Sequence, residues 1–160
     1  MAQKDIFLKL ESTKAGQVRG EVDVSGHEGE MAVMDFSWGM QTASAMGGGK
    51  ASRTALSELR IVRLVDAGST AMMSVMRSND AVKRAVVSVR KAGGAAPIDY
   101  FVLTIERGRI TSYDVSSSGS EMIETLTIAF EKVEIQYRRQ ASTGAKQGAS
   151  TFSADIGAGS

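Results

Sequence analysis

Between Met34 and Met40 the chain alternates. Met34, Phe36, Trp38 and Met40 fall on every second residue, with Asp35, Ser37 and Gly39 between them. A period of two marks a strand with one buried face and one wet face. Met34, Phe36, Trp38 and Met40 are therefore expected to face a core, and Asp35, Ser37 and Gly39 to face outward. The run Q-T-A-S-A-M-G-G-G-K follows, from Gln41 to Lys50. It carries few large side chains, and Gly lets backbones approach closely. This predicts an arm over about 41–53, with Met40, Met46, Gly47, Gly48, Gly49 and Lys50 as its contacts to a neighbouring subunit.

The same period recurs along the chain. Ile6, Leu8 and Leu10 share one side of a short first strand. The stretch 11–30 is polar and punctuated by Gly, a long loop around an expected edge strand at 20–24. Leu56–Val65 fits both periods; Leu59, Ile61 and Val65 favour a strand. Ser69 stands where an N-cap is wanted. Ala71, Met72, Val75 and Met76 follow at helical spacing, and Asn79 can end the helix. Ala85, Val87 and Val89 alternate, as do Phe101, Leu103 and Ile105. Gly108 is expected to interrupt before Ile110, Tyr113 and Val115. The last long strand changes phase: Leu126, Ile128 and Phe130 are even, while Val133, Ile135 and Tyr137 are odd. A β-bulge at Glu131–Lys132 would produce that shift. Thr151–Ile156 is expected to add a final strand.

At 160 residues the chain reads as one domain, 1–160, with a low-complexity tail from about 140. Nineteen Lys and Arg against eighteen Asp and Glu leave a formal net charge of +1. So near a balance gives no long-range field to gather nucleic acid. The absence of Cys excludes disulfide scaffolds and thiolate metal sites. No apolar run reaches the length of a membrane span, so direct membrane insertion is not expected. M-A-Q-K-D-I-F-L-K-L is broken by charge and does not read as a signal peptide.

Candidate chemistry is sparse. His27 is the only His, in the polar loop H-E-G-E, and reads as a surface or turn residue. Glu28 and Glu30 beside it make no recognised metal spacing. Gly47–Gly49 with Lys50 departs from a phosphate loop, because Ser44 replaces the first Gly and Ala51 follows Lys50. Arg90–Lys91 and Arg138–Arg139 are short basic pairs, at most partners for interface ion pairs. No catalytic residue, cofactor site or metal site emerges, and an enzyme is the least supported class.

Taken in order, several segments carry a resemblance. They are D-I-F-L-K-L, H-E-G-E-M, F-S-W-G-M, the Met-Gly-rich run before Lys50, and V-D-x-x-S before the helix. V-x-V-R-K-A-G-G and E-T-L-T-I-A-F-E-K-V-E-I-Q-Y complete the set. This order and spacing resembles the haemolysin-coregulated protein family (Hcp), the tube subunit of bacterial type VI secretion systems. The resemblance implies a mainly β chain: a β-barrel of two antiparallel sheets with one flanking α-helix. It also implies a homo-hexameric ring, rings stacked into a tube, and effector proteins carried in the lumen. Asp35, Ser37 and Gly39 would then face that lumen. The implied partners are further copies of the chain, effectors, and the spike, sheath and baseplate proteins of the machine. The implied itinerary is the bacterial cytoplasm, then export by the type VI route without a cleaved signal peptide. Thr70 stands where relatives often carry Pro, the 116–121 segment is short, and Ala154 stands where relatives often carry Trp. A tail-tube protein of a contractile phage and a monomeric ligand-binding β-barrel are the alternatives.

Overall fold

The structure is a computed structural model that describes residues 4–42, 54–91, 98–139 and 148–156. β1 (Lys4–Ser12) buries Leu8 and Leu10 in the core and Phe7 on its other face. β2 (Gly16–Val18) folds back on the end of β1. The edge strand expected at 20–24 does not form. Instead Gly20 N donates to Gly29 O at 2.9 Å and Val22 N to Glu30 O at 3.1 Å, closing a compact loop.

β3 (Met31–Val33) and β4 (Asp35–Ser37) meet at a corner on Met34. β5 (Met40–Gln41) and β6 (Ala55–Leu56) pair with each other. Residues 43–53, most of the expected arm, lie outside the described residues. β7 (Leu59–Leu64) resolves the ambiguous segment as a strand that buries Leu59, Ile61 and Arg63.

α1 (Ser69–Arg77) seats Met72 and Val75 in the core. Ser69 lies inside its first turn and is not the N-cap; that position is Gly68. The helix start is organised upstream, where Asp66 Oδ1 accepts from Gly68 N at 2.8 Å and Ser69 Oγ from Asp66 N at 2.9 Å. Asn79 closes the helix as expected, with φ 58° and its N–H on Met76 O.

β8 (Val82–Lys91), β9 (Asp99–Ser118), β10 (Glu121–Ala129), β11 (Lys132–Arg138) and β12 (Ala149–Asp155) complete the chain. All pairings are antiparallel, in the order β2-β1-β8-β9-β10-β7-β4, with β3 on β1, β11 on β9 and β12 on β11. Gly108 does not end a strand: β9 runs through it. Leu103 and Ile105 are buried before it and Ile110 after it, so the phase changes within one strand. Arg107 takes φ 54° at the change, and a Cβ on Gly108 would stand 2.7 Å from Ala129 O. That contact admits only hydrogen at the point where β9 changes partners.

The expected bulge at 131–132 is a break instead. β10 pairs with Arg109–Ser118 of β9 and β11 with Phe101–Glu106, so the chain crosses from one stretch of β9 to the other. The 116–121 segment is a hairpin, Ser118 opposite Glu121, with Gly119 at φ 62° as a tight turn demands.

Among the described residues the chain is mainly β with one helix, and the sheets do not close into the expected barrel. Among the described residues β4 bonds only to β7, and the corner at Met34 separates it from β3 on β1. Two three-residue strands at a corner are too short to carry one ladder across both sides.

Candidate functional site: a polar sheet face

In antiparallel pairs, directly opposed residues share a face. Four strands therefore build two rows on one side of the sheet. The first is Asp35, Val62, Thr125 and Asp114; the second is Ser37, Arg60, Thr127 and Ser112. Asp35, Ser37, Arg60 and Asp114 are exposed, and the other four are half-buried. Hydroxyls join the strands: Thr127 Oγ1 lies 2.7 Å from both Thr111 Oγ1 and Ser112 Oγ. One Arg stands among two Asp and several hydroxyls. Such a surface can hydrogen-bond a passing partner, but it lacks the apolar centre of a tight dry interface.

The opposite side of the same strands is core. Phe36, Ile61, Leu126 and Tyr113 align behind these rows. Phe36 reaches Phe101 with ring centroids 6.0 Å apart. Trp38 packs against the core and stands 6.4 Å from the Phe152 ring, and its buried Nε1 has no hydrogen-bond partner among the described residues. Gly39 N donates to Ser57 Oγ at 2.7 Å, which ties the end of this strand to the start of β7. Met34 and Met40 depart from expectation. Both are 49% exposed, because Met34 sits on the corner and Met40 begins the β5–β6 pair. Met46, Gly47, Gly48, Gly49 and Lys50 lie outside the described residues.

Behind the polar face lies a charge cluster that alternation did not reveal. Arg63 and Glu124 oppose each other across β7 and β10 on the core side, both fully buried. Arg63 donates to Glu124 and Asp66, and the Tyr113 hydroxyl donates to Glu124. Burial works against the Arg63 charge, but the bonds to Asp66 and Glu124 outweigh it and hold its pKa above the ordinary value. Burial, then the bond to Glu124, pushes the Tyr113 phenol well above its usual range. The signal was present in the sequence. Arg63 occupies the apolar phase of Leu59 and Ile61, where a charge needs a partner.

His27 is also corrected. It is buried, not a surface residue, and stacks on Phe7 with centroids 4.3 Å apart. Its Nδ1 is 2.9 Å from Glu30 Oε1, and its Nε2 is 2.9 Å from Asp99 Oδ2. Arg90 Nε donates to Asp99 at 3.1 Å. These contacts fasten the 20–30 loop to β8 and β9. No cluster able to hold a metal ion occurs among the described residues.

The family model for the type VI secretion system effector Hcp matches residues 7–137. The chain belongs to the Hcp family. It is 30% identical over 149 residues to Protein hcp1 of Pseudomonas aeruginosa, covering 90% of this chain and 89% of that one. Hcp1 of Salmonella typhimurium superposes with a TM-score of 0.79 at 24% identity, over 99% of this chain and 97% of the other. A type VI secretion system effector from Yersinia pestis does so at 0.74 and 21%, over 95% and 100%. These two likenesses establish the fold. Membership makes this a type VI tube protein; the roles of single residues rest on the geometry above.

Proposed function

We propose that the chain closes into homo-hexameric rings, that the rings stack into a tube, and that the rows of Asp35, Ser37, Arg60, Thr125 and Asp114 line its lumen. Effector proteins travel in that lumen, held by hydrogen bonds weak enough to release. Gly39 continues the wall beside Ser37. The observation that carries this reading is the mainly polar face across four strands, in whose two rows Val62 is the one apolar residue. A wall without an apolar centre suits cargo that must leave. The role is structural and not enzymatic, with no cofactor. Its other partners are the spike, sheath and baseplate of the machine, and neither nucleic acid nor membrane insertion enters the mechanism. No helix among the described residues is long and apolar enough to cross a membrane. The chain leaves the bacterial cytoplasm by the type VI route.

The arm, with Met40, Met46, Gly47, Gly48, Gly49 and Lys50, reaches a neighbouring subunit or ring. Deleting Ala45–Gly49 leaves the sheets folded and weakens assembly, because loop tips tolerate deletion. Native mass spectrometry tests the ring directly, and a clean monomer at micromolar concentration would sink the reading. Ser37→Gln tests the lumen: rings persist while effector stability or export falls. Normal cargo handling by that variant would return the face to ordinary solvent-exposed surface.

A further inference from the structure

The His27 ring lies between two carboxylates. Its Nδ1 is 2.9 Å from Glu30 Oε1 in the same loop, and its Nε2 is 3.0 and 2.9 Å from the two oxygens of Asp99 at the start of β9. An ionised carboxylate only accepts, so both ring nitrogens must donate. A neutral imidazole carries one N–H and cannot serve both sides. Its remaining lone pair would face a carboxylate oxygen in a site where only 6% of the side chain is exposed. Where an imidazole and a carboxylate compete for one proton, the imidazole is the stronger base by about two pKa units.

The charges around the ring lead to the same protonation. From β8, Arg90 donates Nε to Asp99 and Nη1 to Ser25 O, each at 3.1 Å. From β1, Phe7 stacks on the ring, and Asp5 on the same face of that strand stands opposite Arg90. Lys9, also on that face, is engaged with Glu11 at 3.9 Å. β3 brings uncharged Ala32 opposite Phe7. Beside the ring in its own loop, Glu28 accepts from Gly26 N at 2.6 Å, and the Arg19 guanidinium lies against Gly29. Arg90 thus answers Asp99, and among the described residues His27 is the one cation bonded to Glu30.

We infer that His27 is a doubly protonated staple, and that loss of its proton releases the 20–30 loop from β9. Two further bonds hold the loop from outside, Arg90 on Ser25 O and Ala67 N on Glu21 Oε2, and both are exposed to water. The buried, charge-assisted pair of bonds at His27 therefore carries most of the docking. The sign follows from which form docks. Docking is complete below the titration of His27 in the fold and is lost as pH rises through it. At the acid end, protonation of Glu30 or Asp99 removes an acceptor, so the response has two limbs. The device lies within one subunit and does not depend on assembly.

His27 is the only His, so untagged protein carrying isotope-labelled histidine ring nitrogens reports this residue alone by NMR. At neutral pH both nitrogens are expected to give imidazolium signals. As that signal titrates with rising pH, amide exchange over 20–30, normalised to the intrinsic rate at each pH, should rise in step by about tenfold or more, the loss of one bond to a charged group. Exchange in β7 and β10 should not follow it. His27→Gln keeps a donor but has no proton to lose, so its loop should exchange faster at neutral pH and show no step. A neutral tautomer at neutral pH overturns the staple. A ring that titrates while the loop stays protected, or that keeps its proton up to alkaline unfolding, overturns the release. A step that persists in His27→Gln assigns the response to another group and overturns it as well.

Discussion

Arg63 and Glu124 face each other with 1% and 0% of their side chains exposed, whereas His27, Glu30 and Asp99 keep 6%, 11% and 26%. Both clusters join distant segments, but their partners differ in kind. Arg63 and Glu124 sit within the ladder of two neighbouring strands, with Asp66 and Tyr113 completing their bonds. The His27 cluster pins a loop from outside, and Asp99 keeps Arg90 as a second partner. A charge inside a ladder has no water to fall back on, so breaking it costs far more than making it gained. A charge at a loop margin can relax toward solvent.

The sharpest way to break this contrast is Glu124→Ala. It leaves buried Arg63 with Asp66 as its one acidic partner, beside the Ala32 carbonyl and the Ser69 hydroxyl, and is expected to cost about 3–5 kcal/mol in a denaturant titration. Arg63→Met with Glu124→Leu should recover most of that loss, because an apolar pair of similar volume needs no charge partner. A double variant no better than the single would show that the pair is more than compensation for burial.

His27→Ala is expected to cost less, about 1–3 kcal/mol, by leaving buried Glu30 without its bond while Asp99 keeps Arg90. Amide exchange should rise in the 20–30 loop and leave β7 and β10 protected. Equal exchange in both regions would erase the distinction between ladder and margin.

Trp38→Phe probes a third kind of buried polarity, a donor with no partner among the described residues. Stability should stay within about 1 kcal/mol of the parent, because an unpaired N–H is removed along with part of the ring. A loss well beyond that would mean that the indole nitrogen is bonded in the assembled protein.

Asp80 gives the smallest effect, read as a slope with pH. Burial pushes its carboxyl up, but the Ser12 hydroxyl and the N–H groups of Lys14 and Ala15 outweigh this and hold it below the usual carboxylate value. Its contribution is therefore fully present above the usual carboxylate range and disappears as pH falls through the lowered value. Asp80→Asn should flatten the acid limb of the stability curve. An acid limb unchanged by that substitution would remove Asp80 from the account.

Local pattern carried much of this protein. Period two placed β1, β7, β8 and the first part of β9, and helical spacing placed α1 and its end at Asn79. The alternation of Phe36 and Trp38 against Asp35 and Ser37 agrees with their burial, because a strand repeats every two residues whatever lies beside it. The same rule failed at Met34 and Met40, where the strand stops and period no longer reports a face.

What period cannot supply is register. Asp35, Val62, Thr125 and Asp114 form one row only because β4, β7, β10 and β9 lie side by side. Arg63 meets Glu124 across 61 residues of sequence, and His27 meets Asp99 across 72. The sequence alone determined the family and where most of the longer strands run, but not the 20–24 segment, the run of β9 through Gly108 or the faces of Met34 and Met40. Tertiary structure decided which polar residues share a wall and which buried charges find partners, because those pairings depend on ladder contacts between segments that no local period connects.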